Sequence, residues 1–174
     1  MRTFEIKIYQ FSELSEEAKE KAIQWGAELN ISHDWWEFTY DDATNIGLKI
    51  DSFDLYRREI NGEILNSATD TATKIIEDHG EECDTYKLAS VFLMQWANLV
   101  SKYSDGIKTD IVAEENEGQF DEEANELEAE FKRELLEEYL CMLDREYHYL
   151  TSEEAIIETI EANEYEFTED GEIY

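Results

Sequence analysis

EENEGQFDEEANELEAEFKRELLEEYLCMLDREYHYL, Glu114–Leu150, is the stretch whose reading decides the fold class of this chain. Apolar residues recur at Phe120, Ala124, Leu127, Phe131, Leu135, Tyr139, Met142 or Leu143, Tyr147 and Leu150. Steps of three and four place them on one buried stripe of a long helix, because side chains at that spacing lie one above another. The opposite face is almost entirely carboxylate. Up to about Gly118 the stripe is missing and the segment reads as a connector, so helix is predicted from about Phe120. One element thus supplies the spine of a core and a strongly negative outer face.

The whole chain agrees with that reading. Its 174 residues carry 45 Asp and Glu against 14 Lys and Arg, a formal net charge of −31, yet 42% are apolar and 13% aromatic. So high an apolar content is not that of a disordered chain. The length suits a single domain over 1–174 with a real core, with the acidic connector near 106–119. Self-repulsion on this scale opposes the compact state, so the charge either serves solubility or is put to use. Direct binding to DNA or RNA is disfavoured, since neutralising phosphates takes Lys and Arg. The complementary partner is a basic protein or complex, including one whose groove normally holds nucleic acid. Cys83 and Cys141 stand far apart, as in a reduced cytosolic protein. Met1–Phe11, MRTFEIKIYQF, lacks the apolar run of a signal peptide, and no window approaches a membrane span. The expectation is a soluble protein of the cytoplasm that does not engage a membrane. Proline is absent, which fits a helix-rich chain. The sequence sets no oligomeric state.

Along the chain, Thr3–Tyr9 alternates as a half-buried strand does, with Phe4, Ile6 and Ile8 on one side. Ser12 and Ser15 are candidate N-caps for a helix whose apolar face is Leu14, Ala18, Ala22, Trp25 and Leu29. Asn30–Asp34 interrupts it. Asp34 and Glu37 have capping-box spacing for a second helix, WWEFTYDDATNI, closed by Gly47. Trp35, Trp36, Phe38 and Tyr40 fit core packing; the alternative is an exposed recognition patch. Leu48–Tyr56 switches face midway, the mark of a strand with a bulge or bend. Asn61-Gly62 reads as the turn between REI and EIL, and Arg57-Arg58 as a basic pair engaged by nearby acids. Asn66–His79 is predicted helical. Asp84 caps the next helix, apolar nearly all round from Leu88 to Val100 and so the candidate for a central buried one. Ser104-Asp105-Gly106 breaks it, and Ile107–Ala113 has no clear pattern. Thr151 and Glu154 have capping-box spacing for a last short helix. Tyr165–Thr168 reads as a final strand pairing with the N-terminal one. The class is therefore α+β: a mostly helical single domain with a small antiparallel sheet of N-terminal, middle and C-terminal strands.

Signatures of known chemistry are missing. There is no P-loop, GxGxxG, GxSxG or HExxH, and His33, His79 and His148 are scattered. His79 and Cys83 lack the second ligand pair a tetrahedral zinc needs, and Thr168–Glu172 lacks the alternating ligands of a calcium loop. No catalytic, cofactor-binding or metal-binding residue is assigned. Pairs such as Asp41 and Asp42, or Asp51 and Asp54, are too numerous to carry weight. An enzyme using buried carboxylates would show a pair of raised pKa in a cleft. A nucleotide sponge would stack a base on the Trp/Tyr segment and hold its phosphates with Arg57 and Arg58.

The distribution of acids says more. Glu114–Glu138 holds twelve Asp or Glu against Lys132 and Arg133, a net of about ten negative charges. As continuous helix it would span roughly 37 Å at 1.5 Å per residue, a length over which one DNA strand carries about eleven phosphates. No Lys or Arg follows Arg145, while Glu153–Glu172 adds nine acids. A solvated helix face would have the same composition. Glu122, Glu123, Glu126, Glu130, Glu134, Glu137 and Glu138 are the candidate partner-binding residues.

Three stretches, FSELSEEAKEKAIQW (Phe11–Trp25), HDWWEFTYDDATNIGLKIDSFDLYRREINGEI (His33–Ile64) and FKRELLEEYLCMLDREYHYLTSEEAIIETIEANEYEFTEDG (Phe131–Gly171), cover about half of the chain. They resemble a family of small acidic proteins encoded by bacteriophages and prophages, often labelled antitoxin-like. The resemblance implies a phage protein acting in a bacterial cytoplasm and supplies no active-site residues. Together with the charge, it leads to the expectation of a non-enzymatic inhibitor of a host protein, such as a defence nuclease. An antitoxin for a cognate toxin is the related alternative.

Overall fold

Backbone hydrogen bonding builds the expected mostly helical α+β chain. The computed structural model describes residues 7–104 and 117–174. Its elements in order are β1 (Tyr9–Gln10), a single 3-10 turn (Phe11–Glu13), α1 (Glu16–Asn30), α2 (Glu37–Asn45), β2 (Leu48–Asp54), β3 (Glu59–Ile64), α3 (Ala68–Asp78), α4 (Asp84–Tyr103), α5 (Glu117–Leu150), α6 (Glu153–Ala162) and β4 (Glu166–Phe167). N-terminal, middle and C-terminal segments all supply strands, but they pair as two antiparallel ribbons, β1 with β4 and β2 with β3. The described residues gather into two compact units, one of 7–37 and 144–174, the other of 38–104 and 117–143. Of the predicted N-terminal strand, Thr3–Ile6 lies outside the described residues. So do Ile107–Ala113 and the connector up to residue 116.

In the unit that holds both termini, α1 packs on α6. Ser15 Oγ accepts from the Ala18 amide at 3.3 Å, the predicted cap, while Ser12 falls in the 3-10 turn. The buried stripe of α1 is Ala18, Ala22, Gly26 and Asn30. Small residues four apart let α6 come close: a Cβ on Gly26 would stand 2.6 Å from Ile156 Cγ2. Asn30 Nδ2 donates to the Leu150 carbonyl at 2.9 Å, satisfying an orphan acceptor at the end of α5. Ser152, not Thr151, caps α6; the Thr151 hydroxyl instead donates to the Tyr147 carbonyl. Tyr9 lies opposite Phe167 and Gln10 opposite Glu166, so the final strand does pair with the N-terminal one. Trp25 meets Tyr165 and Phe167 edge-on at 5.0 and 5.8 Å.

The other unit is built on α5 from Glu117 to Leu143. Phe131, Leu135, Leu136 and Tyr139 enter one cluster with Ile46, Leu48, Ile50, Ile75 and Phe92. Phe131 stacks on Phe92 with ring centroids 4.3 Å apart. Among the described residues helix is already present at Glu117, three residues before the predicted Phe120, and Phe120 is anchored edge-on to Trp96 and Tyr103. The second predicted helix starts later than expected, at Glu37, whose amide donates to the Asp34 carbonyl. Gly47, at φ +86°, follows its end as predicted. Ser67 caps α3 by accepting from the Asp70 amide. Asp84 is the first residue of α4 and not its cap; Cys83 holds that position.

Asn61-Gly62 is not a turn. Both lie inside β3, and residues 55–58 make the turn, with Arg58 at φ +54°. The register slips between Ile50 and Ser52, the expected irregularity of β2, and leaves Gly62 opposite Ile50. A Cβ there would strike the Lys49 carbonyl and stand 2.9 Å from Leu136 Cδ2, so Gly62 permits a close approach. Nor is α4 buried all round. Thr85, Ala89, Phe92, Leu99 and Tyr103 face inward, whereas Val91 and Met94 are 46% and 59% exposed. Only one side of α4 finds a partner among the described residues.

Candidate protein-interaction surface

At 100° per residue, Glu122, Glu123, Glu126, Glu130, Glu134, Glu137 and Glu138 fall within an arc of roughly 160° on α5. The helix gathers all seven on one broad face because the buried stripe occupies the other. Glu122, Glu126, Glu130 and Glu137 are exposed; Glu123, Glu134 and Glu138 are half-buried. The face is not uniform. Arg133 stands within it, 3.6 Å from Glu130, 3.5 Å from Glu134 and 4.0 Å from Glu137. Glu122, Glu126 and Glu138 make no ion pair among the described residues.

Glu123 has a different task from the other six. Lys102 Nζ donates to its two oxygens at 2.7 and 2.8 Å, and the Tyr103 hydroxyl donates to Oε1 at 2.8 Å. The Lys102 ammonium first and the Tyr103 hydroxyl second hold this carboxyl below the ordinary range. In return Glu123, then Tyr103, hold the Lys102 ammonium above its own. Glu123 joins α5 to the end of α4 and offers a partner little unpaired charge.

Helices α4 and α5 run antiparallel, Tyr103 beside Phe120 at one end and Phe92 against Phe131 further along. Two clefts follow their seam and share Gln95, Leu127 and Glu130. The first, of about 190 Å³, has Leu88, Val91, Phe92, Leu127 and Phe131 as its apolar lining, with Glu130 and Glu134 beside them. The second, of about 570 Å³, continues past Leu99 and Glu126 to Lys102 and Glu123. The seam therefore sets an apolar floor between the carboxylate row of α5 and an α4 wall that passes from Val91 to Gln95, Asn98 and Lys102. Sequence reasoning missed it by taking α4 as apolar all round. The signal was present in Gln95, Asn98 and Lys102, three polar residues spaced three and four apart on the side that faces the groove.

The other candidates do not assemble. Arg57 is 3.7 Å from Asp54, its neighbour in the turn. Arg58 Nη2 lies 3.9 Å from Cys141 Sγ and lines a cleft of about 630 Å³ with Lys132 and Arg133. Glu59 and Glu137 also line it, and no aromatic side chain does, so a base would have nothing to stack on. The Trp/Tyr segment divides: Trp35 and Trp36 meet edge-on at 5.6 Å, Tyr40 joins the α5 cluster, and Phe38 is 86% exposed. Asp42 accepts from the Tyr139 hydroxyl at 2.7 Å, with His79 Nε2 3.6 Å away. His79 Nδ1 bonds the Thr85 hydroxyl at 2.7 Å. Burial, then Asp42, pushes the Tyr139 phenol far above its ordinary value, so it stays a protonated donor. Glu123 and Asp170 are held below the carboxylate range, the direction opposite to a general acid's. Among the described residues no group of His, Cys, Asp or Glu could hold a metal ion, and no helix is long and apolar enough to cross a membrane.

Comparison with known proteins finds no matching family model, curated protein or solved structure.

Proposed function

We propose that this chain is a bacteriophage-encoded, non-enzymatic acidic protein that binds a basic host protein, such as a defence nuclease, and neutralises it. The acidic face of α5 would occupy the place of a nucleic-acid backbone. The observation that carries this reading is the exposure of Glu122, Glu126, Glu130 and Glu137 on one helix face. From Glu122 to Glu138 the helix rises roughly 24 Å, and one DNA strand of that length carries about seven phosphates. Eight carboxylates lie on the same length, seven of them on the candidate face and Glu128 off it, with Arg133 and Lys102 offsetting part of their charge. Such a surface repels nucleic acid directly and steers a cationic protein towards it, giving fast, salt-sensitive association. The proposal includes action in the bacterial cytoplasm.

Reversing Glu122, Glu126, Glu130 and Glu137 together to Lys tests it. All four are exposed, so helical content by circular dichroism should not change. The wild-type chain, immobilised at low salt, should retain basic proteins of a bacterial extract and suppress the nuclease activity of the retained fraction. The quadruple variant, or high salt, should release both. Equal retention and equal suppression by the variant would remove the acidic face from the account.

A further inference from the structure

We infer that the α4–α5 seam is a docking groove for a basic amphipathic helix of that partner, an inference that rests on the acidic-face reading above. A mimic of a phosphate backbone needs only charge. This surface also keeps Val91 46% exposed on α4, where it lines a cleft with Leu88, Phe92 and Leu127, and Met94, three residues further along the helix and outside that lining, 59% exposed. Glu126, Glu130 and Glu134 rise on the α5 side. An apolar floor that runs from Leu88 and Val91 to Leu99, with a row of carboxylates beside it, selects a helix with aliphatic anchors three and four apart, flanked by Lys or Arg. Leu88–Lys102 spans roughly 21 Å, the length of about 14 residues of such a helix.

Charge settles which occupant the groove fits. A second copy of this chain would bring another net −31 against the same carboxylates, and like charges facing each other oppose that pairing. A purely cationic strand would leave Val91 and Met94 in water. The basic amphipathic helix satisfies both walls.

The test uses the full chain and three capped peptides of about 14 residues. One carries a leucine stripe with flanking lysines, one is its shuffled isomer, and one is a lysine/glutamine peptide without apolar residues. Fluorescence anisotropy should show the striped peptide binding about tenfold or more tighter than either control. Val91→Ser with Met94→Ser, both at exposed positions, should erase that preference without changing helical content. Glu126→Gln, Glu130→Gln and Glu134→Gln together should weaken all three peptides and flatten the salt dependence. A striped peptide that binds no better than its isomer, or equally well to the serine variant, overturns the groove. If all three still bind equally and salt-sensitively, the acidic face survives that loss. No binding by any peptide at low salt sinks both readings. Sedimentation showing a dimer that the serine pair dissolves would make the occupant a second copy and likewise overturn the proposal.

Discussion

Replacing Gly62 by Ala tests the account of how the β2–β3 ribbon meets α5. A turn glycine and a close-approach glycine respond differently. Under the turn reading of Asn61-Gly62, the cost of Ala would come from a left-handed backbone. Here no positive φ is involved, and the cost comes from space. The added methyl meets the Lys49 carbonyl, which belongs to the paired strand and cannot rotate away, and Leu136 Cδ2 at 2.9 Å, which can. Overpacking of a closed site costs about 1–3 kcal/mol, and a backbone obstacle places this one towards the upper end. Against that, Ala narrows the unfolded ensemble by about 0.4–1 kcal/mol. The net loss is about 2 kcal/mol. In urea, with a slope of about 2 kcal/mol/M, the midpoint should fall by about 1 M with the slope unchanged. Gly118→Ala is the internal control. Nothing lies within 4 Å of its added methyl, and Ala in a helix is favoured over Gly by up to about 1 kcal/mol. Opposite signs are expected for the two substitutions. A Gly62→Ala protein as stable as wild type would refute the close-packed register of β3 against α5.

Two further predictions concern the polar contacts of α5. Tyr139→Phe removes the donor to Asp42 while keeping the ring; with Asp42 only half-buried and open to water, the loss should be about 1 kcal/mol in thermal or urea unfolding. Burial raises the folded-state pKa of Tyr139 above the unfolded value, so its contribution is complete below about pH 10 and is lost as pH climbs beyond that. Alkaline destabilisation should therefore be weaker in the variant, and identical alkaline limbs would contradict the buried phenol. Glu123→Gln probes the tie to Lys102. The folded carboxyl is depressed, so its stabilising effect is present above the unfolded value of about 4.5 and disappears as pH falls through the folded one. The variant's stability should fall less steeply on acidification. A stability profile parallel to wild type through that window would show that the contact seen between Lys102 and Glu123 does not persist in solution.

How much of this was legible in the sequence follows the range of the forces involved. Local rules held where one residue and its near neighbours decide the outcome: the Ser15 cap, Gly47 after α2, the bulge in β2 and the buried stripe of α5 all lie within a few residues of their cause. They failed where a distant element decides. Asn61-Gly62 has the composition of a hairpin turn, but the register slip and the approach of Leu136, far along the chain, put Gly62 inside a strand. The run from Leu88 to Val100 has the composition of a buried helix, yet burial requires neighbours on every side and α5 and α3 cover only part of it. The seven glutamates were gathered correctly by periodicity. That Glu123 is taken by Lys102 and Tyr103 was not readable, because those residues precede it by about twenty positions.

The error about α4 bears on why the protein is so acidic. Exposed Val91 and Met94 on a helix lip invite self-association, the ordinary fate of an unpartnered apolar face. A net charge of −31 opposes the approach of a second copy and so allows that lip to remain open. On the proposed reading, solubility and function are then not rival explanations, since the same repulsion would keep an apolar contact free for a partner of opposite sign. They act over different distances, however. At physiological ionic strength the screening length is about 8 Å, so charges on distant parts of the chain are muted at the groove. Glu126, Glu130 and Glu134, lining it, are not. Net charge can keep copies of this chain apart, but under the proposed docking the choice of partner would rest on the few carboxylates within a screening length of the groove.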